Sequence, residues 1–310
     1  MADKHGFDTP GGLLSPTGLR DLAPLLAELR RRRYDDLLLF HHLTTWFGVA
    51  KYTALTRAIA ARRTIGLDNG RGKFLDVRVP DEGFGHAHEV EYGLEIAAAA
   101  GARARDDARI EIALESRDRR RAAELLGETG ASPATESAPR RWIALHAGGG
   151  TYSLARRWPP AAFADVGRTL ARETEAGIVL LGTEVDRSAS DDVAALLGGG
   201  VLNLVGRASV KETAAVLERC RLLVSNDSGV VYLATAVGTP VAAVFGPSND
   251  RAWGPYPAAR HRVVRATLPC APCFYRDKRL GTPQGCPTRD CLKLVTPEMV
   301  LAAARELLPA

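Results

Sequence analysis

Three polar stretches in the second half of the chain each stand directly after a short apolar run. The first is His146-Ala147-Gly148-Gly149-Gly150-Thr151, followed by Arg156 and Arg157 ahead of Trp158-Pro159. Glycines such as Gly149 and Gly150 let the backbone approach a ligand closely and offer N–H donors to phosphate oxygens. Arg156 adds a charge-assisted contact of the same polarity. The second stretch is Gly182-Thr183-Glu184. A carboxylate at a strand end can accept both hydroxyls of a ribose; a solvated acid or a helix cap is the plain alternative for Glu184. The third is Ser225-Asn226-Asp227-Ser228-Gly229, which closes the apolar run Leu222–Val224 and opens a run of small residues. A strand that stops in such a turn and opens a helix leaves unpaired N–H groups at its carboxyl end, which suits a diphosphate. Asp227 and Ser228 also read simply as caps of the following helix. Each stretch alone is weak, and the glycine loop matches neither Walker A nor GxGxxG. They form one site only if the strands before them lie in one parallel sheet.

The hydrophobic pattern supplies that sheet. Strands are predicted at Trp142–His146, Ile178–Leu181, Val201–Leu204, Leu222–Val224, Val241–Phe245 and His261–Val264. Helices are predicted between them at Ala161–Glu173, Asp186–Leu197, Val210–Cys220 and Val230–Ala236. Short apolar strands alternating with helices imply an α/β domain whose parallel sheet is covered on both faces. Residues 142–296 therefore read as a complete Rossmann-like domain. A C-terminal helix follows within 297–310, capped by Thr296 and opened by Pro297. In the first half, helices are predicted at Leu19–Arg33, Thr45–Ala61 and Glu89–Ala100, and strands at Asp36–Phe40, Thr64–Gly66 and Ile110–Leu114. These strands are too few for a full doubly wound sheet, and no strand and glycine turn lead the first helix. Residues 1–130 are thus expected to form a second Rossmann-like domain, incomplete at its N-terminus. The stretch GETGASPATESAPRR reads as a linker, with residues 131–141 joining the domains.

Composition bounds the rest. A chain of 310 residues has room for two ordinary domains, and 46% hydrophobic with 25% charged residues is the balance of a globular protein. No apolar run reaches the ~18 residues that cross a bilayer. The opening MADKHGFDTPGGLL lacks a basic start and apolar core, so a cytoplasmic protein without signal peptide is expected. The net charge of +5 fits an arginine-rich solvated surface. No aromatic-interleaved basic patch or binding motif appears, and no nucleic-acid partner is expected. Cys220 reads as a core residue. Cys270, Cys273, Cys286 and Cys291 follow the pattern C-x2-C-x12-C-x4-C. Four thiolates so spaced can hold a structural zinc ion; loosely packed free thiols and disulfides are the other readings.

Taken together, NDSGVVYLATAVGTPVAAVFGPSNDRAWGPY resembles the signature of the family-9 glycosyltransferases, the lipopolysaccharide heptosyltransferase family. The glycine loop ending in RRWPPAAF, the Gly-x-Glu turn and Asn203-Leu204-Val205-Gly206 fit the same pattern. In the first half, YDDLLLFHHLTTWFGVAKY and IGLDNGRG are similar to that family's acceptor-side domain.

The resemblance implies a GT-B fold, two Rossmann-like domains facing across a cleft. It implies inverting transfer of a heptose or related sugar from a nucleotide-diphosphate donor such as ADP-heptose. The acceptor would be a lipopolysaccharide core or other surface glycan, with peripheral contact to the inner membrane. By the match, Arg156 holds donor phosphate or sugar hydroxyls beside Gly149, Gly150 and Thr151. Glu184 holds the ribose, and Asn226, Asp227, Ser228 and Gly229 lie at the diphosphate. Arginine and backbone N–H groups can neutralise the leaving diphosphate, so no cofactor or metal is implied.

Tyr232 stands where the family has a histidine; a phenol donates one hydrogen bond but carries no positive charge. The family's base is an aspartate in a Gly-Asp turn after its first strand. No such turn is present in the sequence, and neither Asp68 nor Asp81 stands in an equivalent setting. No catalytic residue is therefore assigned. His41 and His42 follow a predicted strand and read either as acceptor contacts or as structural groups. Two other functions stay open: a nucleotide-sugar-binding module without turnover, and a nucleotide-sugar epimerase of related fold.

Overall fold

The computed structural model describes residues 16–103, 108–127 and 142–308. The expected linker at 131–141 lies outside the described residues. The chain forms two compact units: one runs to Asp106 and takes in Asp277–Arg279, and the other comprises Asp107–Arg276 and the residues from Leu280 onward.

The first unit contains α1 (Pro16–Arg31), β1 (Asp36–Leu39), α2 (Trp46–Ile59), β2 (Arg63–Asp68), β3 (Val77–Pro80) and α3 (Glu89–Ala99). Its three strands pair in parallel in the order β1-β2-β3. The sheet holds because Ile65, Leu67 and Val79 meet Tyr92 and Ile96 of α3 in one buried cluster. Thr45 caps α2 by accepting the Gly48 N–H at 3.0 Å. Strand β3 has no counterpart in the sequence reading. Only Val79 is buried and the strand ends in Pro80, an edge-strand pattern with little hydrophobic signal. The loop before it is folded by Asp68, whose Oδ1 accepts the Gly70 and Gly72 N–H groups at 2.8 and 2.7 Å.

The carboxyl ends of these strands meet at His42. Its Nδ1 lies 2.9 Å from Asp81 Oδ1 and its Nε2 3.0 Å from Glu89 Oε1. Asp81 also accepts the Gly83 N–H at 2.8 Å and the Asn69 amide at 3.0 Å. Burial opposes a charge on His42, but hydrogen bonds to Asp81 and Glu89 outweigh it and raise its pKa to about 9. The ring is an imidazolium at neutral pH, tying the segments after β1, β2 and β3 to the start of α3. His42 is thus a structural cation in this unit.

The second unit opens with α4 (Ser116–Leu125), β4 (Trp142–His146), α5 (Pro160–Thr174), β5 (Gly177–Leu180), α6 (Arg187–Leu197) and β6 (Val201–Asn203). It continues with α7 (Val210–Leu217), β7 (Cys220–Asn226), α8 (Gly229–Ala236), β8 (Val241–Val244), α9 (Asp250–Trp253) and β9 (His261–Val264). A short ribbon of β10 (Phe274–Arg276) and β11 (Arg279–Gly281) precedes α10 (Asp290–Lys293) and α11 (Pro297–Leu307). Six parallel strands run in the order β6-β5-β4-β7-β8-β9, a doubly wound sheet whose order reverses between β4 and β7. Side chains alternate across it. Ile143, Leu145, Leu222 and Val224 pack under α5, α6 and α11, while Ala144, Val179, Leu223 and Ala243 pack under α4, α7 and α8.

The division between units departs from the expected boundary at residue 130. Ile110–Leu114 forms no strand; Leu114 instead packs on the second face of the sheet. Helix α4 has no counterpart in the sequence reading because SRDRRRAAEL is polar over most of its length. Its apolar end, Ala122 and Leu125, covers that same face, and Arg119 holds Glu218 through two bonds of 2.8 and 3.0 Å. Residues 108–127 therefore group with the second unit, as does the C-terminal helix, whose Val300 and Ala304 are core residues.

A His42→Gln substitution leaves Asp81 and Glu89 without their cation and is expected to destabilise the protein by about 3 kcal/mol, measured by urea unfolding. Because the folded pKa of His42 is raised, its contribution is fully present below pH 6.5 and is lost as pH rises through about 9. NMR titration of the His42 ring should show that late midpoint.

Candidate functional site

A cavity of about 620 Å³ opens at the carboxyl ends of β4 and β7, where the strand order reverses. Ligands of open α/β sheets sit at such a reversal. Gly149, Gly150, Thr151 and Arg156 line it from the segment after β4, and Gly182, Thr183 and Asp186 from the segment after β5. Asp227, Ser228, Gly229 and Tyr232 line it from β7 and α8, with Trp253 and Tyr275 completing the wall.

Two buried side chains set the shape of the glycine loop. Asn226 is fully buried. Its Nδ2 donates to the Ala147 and Gly148 carbonyls, both at 2.8 Å, and its Oδ1 accepts the Trp158 N–H at 2.9 Å. Asn226 does not line the cavity; it ties the end of β7 to the loop after β4. Asp186 Oδ1 accepts the Gly149 and Gly150 N–H groups, both at 3.1 Å, and Oδ2 accepts the Thr183 N–H and hydroxyl at 3.1 and 2.9 Å. Those two glycine N–H groups, which the sequence reading offers to phosphate, are thus taken up by Asp186. A Cβ at Gly148 would collide with this carboxylate. Burial opposes ionisation of Asp186, yet the hydrogen bonds from Thr183 and Gly149 hold its pKa below the usual value. His146 donates from Nδ1 to the Leu181 carbonyl at 2.8 Å, and burial lowers its pKa, so the ring is neutral.

Some side-chain donors of residues lining the cavity are left over. Arg156 donates from Nη1 to Asp227 at 3.2 Å and from Nη2 to the Gly149 carbonyl at 3.2 Å. Asp227 also accepts the Ser248 hydroxyl at 2.6 Å, so it is a buried anchor for Arg156. Arg156 Nε and Ser228 Oγ are buried and have no hydrogen-bond partner among the described residues. Ser228 is the N-cap of α8, whose first N–H groups have no partners inside the helix. A buried donor without an acceptor costs about 1–3 kcal/mol, and an anionic ligand oxygen at the start of α8 would remove that cost.

Other sequence-predicted residues are placed differently. The Glu184 side chain is 70% exposed and bonds Arg187 at 2.5 and 2.6 Å; it does not line the cavity. Tyr232 lines it, but its hydroxyl donates to the Trp253 carbonyl at 2.7 Å. Cys270 and Cys286 are exposed and Cys273 and Cys291 partly buried, all with free thiols. Among the described residues no group of His, Cys, Asp or Glu is gathered to hold a metal ion. Asp68 and Asp81, the two acids weighed as a base, are engaged in the first unit's loops. Sequence reasoning missed Asp186, though Thr183-x-x-Asp186 has the spacing of a capping box. It also missed Tyr275, whose phenol pKa burial pushes up and which no motif marked.

The family model described as glycosyltransferase family 9 (heptosyltransferase) matches residues 23–283. Lipopolysaccharide heptosyltransferase 2 of Salmonella typhimurium is 27% identical over 164 residues, 52% of this chain and 45% of that protein. The chain thus spans about half the length of the curated relatives it matches. The structure of E. coli ADP-heptose lipopolysaccharide heptosyltransferase II is similar with a TM-score of 0.62 at 22% identity, covering 92% of this chain and 79% of the other. A family-9 glycosyl transferase from Veillonella parvula has a TM-score of 0.68 at 20% identity, covering 94% and 78%. These likenesses are of fold, and the fold is of the GT-B class.

Asp186→Ala removes the acceptor of three backbone N–H groups. It should destabilise the protein by about 1–3 kcal/mol and accelerate amide exchange at Gly149 and Gly150, as hydrogen-exchange mass spectrometry would show.

Proposed function

The chain belongs to glycosyltransferase family 9, and from that premise we propose that the second unit's cavity binds a nucleotide-diphosphate sugar whose sugar is passed to a surface glycan. The sugar is a heptose or a relative of it, the donor ADP-heptose, and the acceptor a lipopolysaccharide core or similar glycolipid. The observation that carries this reading is the pair of buried, unpartnered donors, Arg156 Nε and Ser228 Oγ, at the start of α8.

In this reading the diphosphate lies against Arg156 Nε, Ser228 Oγ and the Gly229 N–H. These groups neutralise charge as it develops on the departing nucleotide. Asp227 and Asn226 are positioning residues: one aims Arg156, the other fixes the loop after β4. Gly149 and Gly150 form the floor without donating their N–H groups, which Asp186 holds, and Thr151 lies beside them. Tyr232 supplies an aromatic wall, since its hydroxyl is committed to Trp253. The ribose lies towards Gly182 and Thr183, and Glu184 joins it by exchanging an exposed ion pair with Arg187, a weakly held partner. No helix among the described residues is long and apolar enough to cross a membrane; contact with the inner membrane would come through the glycolipid acceptor.

A second reading, donor binding without transfer, draws on the acids of the first unit. Asp68 accepts two loop N–H groups and Asp81 is bound to His42, Asn69 and Gly83, so neither is available as the base that inversion needs.

Calorimetry with ADP and ADP-heptose tests the site. Binding is expected, and Arg156→Gln should weaken it about tenfold or more, as loss of a charge-assisted bond worth ~1.5–3 kcal/mol requires. Absence of binding by either compound at millimolar concentration contradicts the proposal. Following a labelled donor with a glycolipid acceptor then separates transfer from binding alone.

A further inference from the structure

A second cavity, of about 540 Å³, lies in the same unit at the opposite edge of the sheet. Its lining includes Gly238, before β8, and His261, the first residue of β9. It thus sits at the amino ends of strands whose carboxyl ends face the first cavity. We propose that it binds a small organic anion, a carboxylate or phosphate monoester carried on an apolar body.

Charge balance is the first argument. Two arginines at the cavity are already neutralised: Arg119 by Glu218 at 2.8 Å, and Arg109 by Glu111 at 2.8 Å. Arg260, exposed at the cavity, makes no hydrogen bond or ion pair with any described residue. Among the described residues one positive charge is therefore left over at this concave surface, and it disfavours a cation there.

The second argument is an orphaned polar atom. His261 is only 6% exposed, and its buried Nδ1 has no hydrogen-bond partner among the described residues. Burial, with the Arg260 charge second, lowers the His261 pKa to about 4. The ring is neutral at pH 7 and can donate one N–H to an anion beside Arg260. The carboxyl end of α8 also borders the cavity, but its Ala234 and Thr235 carbonyls are occupied by the Thr239 and Gly238 N–H groups.

The third argument concerns the body of the ligand. Ile112, Ala236, Val237 and Pro257 give the cavity an apolar wall. An inorganic ion would satisfy Arg260 and His261 yet leave this surface wet. An apolar body would cover that surface, and removing it from water favours binding.

The test follows the His261 ring by NMR, its signals assigned by their loss in His261→Phe. Phenyl phosphate and benzoate serve as anionic probes and benzyl alcohol as the uncharged control. Both anions should shift the His261 resonances saturably, and the alcohol should not. Arg260→Gln, a change at an exposed residue, should weaken anion binding about tenfold. Arg251→Gln, exposed and outside both cavities, should not. An unmoved His261 ring with millimolar anion, or equal affinity in Arg260→Gln, overturns the proposal. Because the readout is local to His261, neither result depends on binding at the first cavity.

Discussion

The site depends on one buried amide. Asn226 ends the central strand β7 with no exposed surface and satisfies its polar atoms across three partners on the neighbouring segment, Ala147, Gly148 and Trp158. A side chain buried this deeply has to be hydrogen-bonded, so the loop after β4 has to pass where those partners can be reached. That requirement fixes Trp158, and with it Arg156 two residues earlier. It also fixes Asp227, the next residue in the chain, close enough to hold the Arg156 guanidinium. The positions of the cavity's main cation and of the first turn of α8 thus follow from the same interaction.

The two buried carboxylates play parallel parts. Asp186 gathers the N–H groups of Gly149, Gly150 and Thr183, and Asp227 gathers Arg156 and Ser248. Neither can face a diphosphate without repulsion, and each is compensated by the protein itself. What remains for a ligand is the set of donors these carboxylates leave unused. In the proposed reading an anion is therefore held at Arg156 Nε, Ser228 Oγ and the start of α8, rather than along the glycine loop.

The inner strands of the second unit's sheet were legible in the sequence because they are buried on both faces. Runs such as Trp142–His146 and Val241–Phe245 have no polar alternation to blur them, and the structure reproduces both to within one residue. Elements covered on one side were harder to see. β3 buries a single valine, and α4 buries its apolar residues only near one end. The alternating pattern at Ile110–Leu114 suggested a strand, yet the segment packs as irregular chain. At the site, residue types were readable but roles were not. Asp186 and Glu184 stand two residues apart, one turned inward and one solvated; the choice is made by Gly149 and Gly150, over 30 residues earlier in the chain. Tyr232 and Asn226 were likewise identified as site residues, but their hydrogen bonds run to Trp253 and to the loop after β4.

A crystal structure with ADP bound tests the central claim most directly. The account predicts phosphate oxygens within hydrogen-bonding distance of Arg156 Nε, Ser228 Oγ and the Gly229 N–H, with the bonds of Asn226 and Asp186 unchanged. Phosphates lying on the Gly149 and Gly150 N–H groups, with Asp186 displaced and the Arg156 and Ser228 donors still without partners, would contradict it.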